Sequence, residues 1–148
     1  MTDTTAPAAA GRTPVHLWIV GVVALLWNGY GGFDYIMTKT NNAAYLAAYT
    51  PEQREYFNSF PLWADVAWAI GVWGGVLGAV LLLLRMKWAF HAFVASLIGF
   101  VATVIYGQMS ASSEIMGSTG LIFSAIIFVI CLFLVWYSWT MTKRGVLR

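Results

Sequence analysis

Leu81-Leu82-Leu83-Leu84-Arg85-Met86-Lys87-Trp88-Ala89-Phe90 is the stretch that decides the fold: two long apolar runs meet across three residues, two of them basic. The run before this joint begins at Pro61 and the run after it ends at Gln108. A helix crosses roughly 30 Å of hydrocarbon in about 20 apolar residues. Each run therefore suffices for one crossing, and the short joint forces a tight antiparallel hairpin. Two further runs pass the same test, giving expected spans at residues 15–37, 61–84, 88–108 and 120–141. The fold class is all-α, an integral membrane bundle of four transmembrane helices, with one domain over residues 15–148.

The composition agrees with the runs. The 148 residues are 60% hydrophobic and only 9% charged, against about 25% charged in a typical soluble domain. Eight basic and six acidic side chains are too few to cover a soluble surface, so the lipid bilayer is the expected solvent. The single cysteine, Cys131, sits inside an apolar run. It excludes an internal disulfide, argues against a Cys-based metal site, and reads as a small packed residue. The first run has a weak basic flank but no small-x-small cleavage site after it, so it reads as a retained span and not a secretory signal. Residues 1–14 are Thr-, Ala- and Pro-rich without apolar periodicity, which is the pattern of a disordered tail.

Orientation follows from basic residues near the span ends. With the N-terminus inside, Arg12, Arg85, Lys87, Lys143, Arg144 and Arg148 are cytoplasmic, while Lys39 and Arg54 lie outside. Both termini are therefore expected in the cytoplasm (N-in/C-in), in a multi-pass protein of a bacterial inner membrane. The acidic side chains fall the other way. Asp34, Glu52, Glu55, Asp65 and Glu114 lie on the external side, with only Asp3 inside.

The external connection, residues 38–60, carries its own helix signals. Thr50-Pro51-Glu52-Gln53 combines a capping threonine, proline at the first helical position and glutamine at the capping-box place. A short helix through about Asn58 is expected. Ala43 to Tyr49 is a second helix-forming stretch, with Tyr45, Leu46 and Tyr49 on one face. Together with Tyr56, Phe57 and Phe60 these aromatics suit either a lid at headgroup level or a cap that stacks on a planar ligand. Residues 108–119 read as a short polar loop.

Within the spans two patterns stand out. Gly71, Gly74, Gly75 and Gly78 recur at helical spacing, one turn after Ala67, and make a groove for close helix packing. Spacing does not say whether the partner helix belongs to this chain or to a second copy. In the first span, Asn28, Gly31, Gly32 and Tyr35 share one face, and Asp34 lies one turn from its outer end. A lone carboxylate in hydrocarbon is costly and normally faces protein, water or a partner. Asp34 can pair with Lys39 or a tyrosine, and Asp65 can rest in the first turn of its helix, where the dipole favours an anion. The sharper expectation is a polar vestibule of Asn28, Tyr30, Asp34, Asp65, Tyr106 and Gln108, open outward, for a polar or cationic solute.

His16 and His91 lie at cytoplasmic helix starts and read as headgroup or capping contacts. No phosphate loop, metalloprotease, nucleophile-elbow or CxxC motif is present, and no dense basic patch for nucleic acid. Neither a metal site, a cofactor nor a catalytic reaction is expected.

Leu17-Trp18, Trp27-Asn28, Phe33-Asp34-Tyr35, Thr50-Pro51-Glu52-Gln53, Phe60-Pro61, Trp68 to Gly75 and Leu81 to Arg85 together resemble a group of small bacterial inner-membrane proteins. These are often loosely labelled sugar transporters or carry no functional name. The resemblance spans residues 15–148 and supplies no mechanistic motif, so it implies transport of a sugar-like solute without naming a binding residue. The expected function is thus solute transport or binding through the vestibule, with an accessory or assembly subunit of a larger membrane complex as the alternative. Four helices offer few walls for alternating access, so a carrier of this size would have to form a homo-oligomer.

Overall fold

A computed structural model describes residues 13–110 and 112–148. The tail expected at residues 1–14 therefore lies outside the described residues, apart from Thr13 and Pro14. Six helices form: α1 (Val15–Lys39), α2 (Ala43–Leu46), α3 (Pro51–Asn58), α4 (Leu62–Leu83), α5 (Trp88–Met109) and α6 (Ser112–Lys143). Among the described residues there is no strand. Helices α1, α4, α5 and α6 are long and apolar enough to cross a membrane. Their outward side chains include Val15, Leu26, Leu62, Ile98 and Leu121, all well exposed. So much unburied apolar surface on long helices marks a membrane protein, where lipid covers it.

Glycine decides how α4 and α5 meet. A Cβ on Gly71 would stand 3.2 Å from the Phe100 backbone nitrogen, and one on Gly74 3.2 Å from that of Ser96. From the other side, a Cβ on Gly99 would stand 2.6 Å from the Ala67 carbonyl oxygen. Only hydrogens at these positions let the two backbones touch, and Ser96 Oγ then donates to Gly71 O at 2.5 Å. Gly78 receives the Phe93 ring and Gly75 receives Asn28 of α1. The glycine groove is thus filled from within this chain, by α5 and by α1.

Helix α1 packs on α4 beside α5, the two meeting at Gly75. Gly21 abuts Leu83, and Gly32 lies under the Trp73 ring. Tyr35 meets Trp68 edge-on at 4.8 Å. Helix α6 contacts α5, and its backbone hardly approaches α1. Side chains bridge that gap instead: His16 Nδ1 bonds to the Tyr137 hydroxyl, and Trp27 meets Phe123 at 6.3 Å.

The two ends of the molecule differ. At the hairpin end Leu17, Leu82, Phe93, Tyr137 and Met141 form a closed core. The C-terminal residues fold across it, with Val146 and Leu147 buried. Lys87 N donates to Arg148 O at 2.8 Å and Arg148 N to Arg85 O at 2.9 Å. These bonds hold Arg85 at φ 56°, a left-handed conformation that costs a non-glycine residue roughly 1–2 kcal/mol.

At the other end α2 and α3 form a lid. Asn42 caps α2 and the Thr50–Gln53 capping box opens α3. The Ala43–Tyr49 stretch is helical only through Leu46. One expectation is corrected here. Residues 112–116 are not loop but helix, interrupted at Gly117 (φ 69°, ψ −164°) before the fourth span proper. That backbone conformation is open essentially to glycine alone, and the five residues before it are too few to show the apolar period of a helix.

Candidate functional site

The four long helices do not fill the space between them. A cavity of about 280 Å³ lies at mid-depth, bounded by side chains from all four. It joins a wider chamber of about 560 Å³ beneath the lid, the two sharing Asp34, Tyr49, Trp68, Phe100, Thr103, Phe123 and Ile127. Phe93 and Leu134, part of the closed core, line its inner part.

Each wall follows from helical periodicity. On α5, Phe93, Ser96, Phe100 and Thr103 recur every three or four residues and line one face. On α6 the face is Phe123, Ile127, Ile130, Cys131 and Leu134. On α1, Trp27, Asn28, Tyr30, Gly31 and Asp34 supply the polar side. Glycine matters here at Gly75. Its missing side chain admits the Asn28 amide, whose Cγ would lie 2.8 Å from a Cβ there, with Ser96 Oγ at 3.4 Å. Asn28, Gly75 and Ser96 so bring three helices to one point.

Hydrogen bonding fixes what these groups still offer. Asn28 Nδ2 donates to Ala24 O at 2.8 Å, Ser96 Oγ to Gly71 O, and Thr103 Oγ1 to Gly99 O at 2.9 Å. Asp34 Oδ1 accepts from the Tyr45 hydroxyl of α2, which ties the carboxylate to the lid. Burial, and then this bond, push the Tyr45 phenol above its ordinary range. Burial likewise raises Tyr49. Both therefore remain neutral donors throughout the physiological range. The lid's aromatics close over the helix ends: Phe57 stacks on Trp68 at 5.9 Å, Tyr56 on Tyr106 at 6.1 Å, and Phe60 meets Tyr106 at 4.8 Å.

The residues proposed from sequence are divided by the structure. Asn28, Tyr30 and Asp34 line the inner cavity, and Asp34 and Gln108 line the outer chamber. Asp65 and Tyr106 line neither. Asp65 Oδ2 pairs with Lys39 Nζ at 3.0 Å, tying α4 to α1, while its Oδ1 is buried with no partner among the described residues. Tyr106 belongs to the aromatic packing under α3, against Tyr56, Phe60 and Trp63. Ser96 and Thr103 carry no signal of their own in the sequence, Cys131 reads there as a small packed residue, and Trp68 enters only through the resemblance; the structure places all four on the cavity. Their spacing on one face was visible, but an internal cavity and a packed interface have the same period. Among the described residues no group of His, Cys, Asp or Glu is placed to hold a metal ion.

No family model, curated protein or solved structure matches this chain. The site must accordingly be judged by its chemistry.

Proposed function

We propose that this chain is a solute-binding membrane protein, with transport as its activity and the inter-helix cavity as its binding site. The observation that carries the reading is the cavity itself, walled by all four spans, with Asp34 where it joins the outer chamber. The space opens where the backbones of α1 and α6 hardly approach each other, and side chains of all four spans bound it. It has the form of a ligand pocket, mostly apolar with a few placed polar groups. Arg85, Lys87, Lys143, Arg144 and Arg148 cluster at the hairpin end, which we assign to the cytoplasm. The lid then faces outward, from a bacterial inner membrane. The reading is one of binding, not catalysis, for a sugar-like or cationic polar solute.

Cys131 tests it directly, because this thiol lines the cavity. With the full chain in lipid nanodiscs, charged water-soluble methanethiosulfonates should label Cys131. A thiol that meets only lipid or packed side chains would stay unlabelled, and no labelling by any such reagent would defeat the reading.

One observation favours a second reading, that of an accessory subunit. Only 6% of the apolar window of α6 is buried, against 22% to 28% for the other spans. A partner helix could cover α6, whether from another protein or from a second copy. Mild-detergent co-purification checks this, since a defined partner would be recovered in stoichiometric amount.

A further inference from the structure

We infer that the cavity takes small organic cations of the ammonium class, with Asp34 as counter-ion and aromatic faces as the rest of the cradle. The inference rests on the solute-binding reading above and names its substrate class.

The first support is the state of the hydrogens. Ser96 and Thr103 each spend the hydroxyl proton on a backbone carbonyl, and Asn28 directs its amide nitrogen at Ala24 O. A hydroxyl that donates its one proton keeps only acceptor capacity. Ser96 and Thr103 therefore turn only acceptor capacity to a guest, while the Tyr30 and Tyr49 hydroxyls and the Trp27 and Trp68 indole N–H groups of the same lining are donors. An anion calls for positive charge in the lining. Neither the inner cavity nor the outer chamber is lined by a Lys, Arg or His among the described residues. Lys39, the nearest basic residue in sequence to Asp34, is held by Asp65.

The second support is the carboxylate. Asp34 lies on the boundary of both spaces. One of its oxygens accepts from Tyr45, and the other has no donor among the described residues. A carboxylate with one oxygen unpaired and no basic side chain in the lining attracts a cation, more strongly once a guest displaces the water around it.

The third is the wall. Trp27, Tyr30, Tyr49, Trp68, Phe100 and Phe123 line the same space. Aromatic faces attract ammonium groups through their quadrupoles, more so when desolvated, and demand no hydrogen bond in return. Inorganic divalent ions do not suit this cradle, since they require about six oxygen ligands. A methylated or protonated amine uses every feature present.

The test uses the full chain in nanodiscs and reads the labelling rate of Cys131. Cationic (trimethylammonium)ethyl and anionic sulfonatoethyl methanethiosulfonate are compared, each rate divided by that reagent's rate with 2-mercaptoethanol. The cationic reagent should label faster by roughly tenfold or more, and Asp34→Asn should bring the ratio towards one. Choline and its uncharged carbon isostere, 3,3-dimethylbutan-1-ol, are then compared as protectants. Choline should slow labelling at roughly tenfold lower concentration. Equal labelling by both reagents with equal protection would overturn the cation class while leaving a solute cavity in place. Protection by glucose but not by choline would overturn it in favour of a sugar. Absence of labelling by either reagent would remove the cavity reading itself. If Asp34→Asn does not fold, the two reagents and the choline pair decide on the unaltered chain.

Discussion

Replacing Gly99 by alanine should separate α4 from α5 and destabilise the chain, although alanine is the better helix former. A Cβ at Gly99 would lie 2.6 Å from Ala67 O and from Gly71 N, and 3.1 Å from Gly71 Cα. Ordinary contact begins at 3.4 Å, so one methyl requires a retreat of roughly 0.8 Å. The opposing atoms are backbone and cannot rotate away, so the helices themselves must part. Parting them loosens the neighbouring contacts at Gly71 and Gly74 and stretches the Ser96 Oγ to Gly71 O bond from 2.5 Å. Overpacking of this kind costs about 1–3 kcal/mol, and a weakened interhelical hydrogen bond about 0.6 kcal/mol more. Alanine's helix propensity returns up to about 1 kcal/mol. The net expected loss is about 0.5–2.5 kcal/mol. Unfolding in mixed micelles of rising SDS content, followed by tryptophan fluorescence, measures it. Gly29→Ala is the control, since a Cβ there meets nothing within 4 Å. If Gly99→Ala proves as stable as Gly29→Ala, the close backbone approach is not what holds α4 to α5.

Three further outcomes follow from other contacts. Leu147 is 3% exposed beneath the hairpin end, so Leu147→Ala should lower stability by about 2–4 kcal/mol in the same assay. The Lys39–Asp65 pair joins α1 to α4. Asp65→Asn should cost more than the Lys39→Met, Asp65→Leu double change, because a lone half-buried charge is worse than none; equal losses would mean the pair contributes little. The Tyr45 phenol is raised above its ordinary 10.0 in the folded chain, so its contribution is fully present below about pH 10 and is lost as pH rises further. Amide exchange at residues 43–46 should be flat from about pH 7 to 9, after correction for intrinsic rates, and accelerate above about pH 10.5. Tyr45→Phe should exchange faster already at neutral pH.

Much of the fold was legible in the residues. Four apolar runs of sufficient length and a three-residue joint leave little choice in a bilayer, because each crossing must satisfy its own backbone hydrogen bonds. The Thr50–Gln53 capping box was equally local, and α3 begins where it says. The turn before Gly117 was missed because a short polar helix has no apolar period to announce it. The site was half legible. Asn28 and Asp34 stood out as polar groups where lipid tolerates few, and both line the cavity. Asp65 and Tyr106 stood out for the same reason, yet one is spent on Lys39 and the other on aromatic packing.

By itself the sequence determined the helices, their number and their membrane setting, because length, hydropathy and capping act over a few turns of one segment. Only the tertiary structure decided what fills the glycine groove, which carboxylate is paired, and that the helices leave a cavity behind Asp34. Those outcomes depend on where side chains from separate helices meet, and a helical face of given spacing serves an interface as readily as a pocket. The hydrogens of Ser96 and Thr103 make the point: both residues are plain in the sequence, but the carbonyls that take up their protons lie on α4 and one turn back on α5, and it is that expenditure which leaves these two hydroxyls only acceptor capacity.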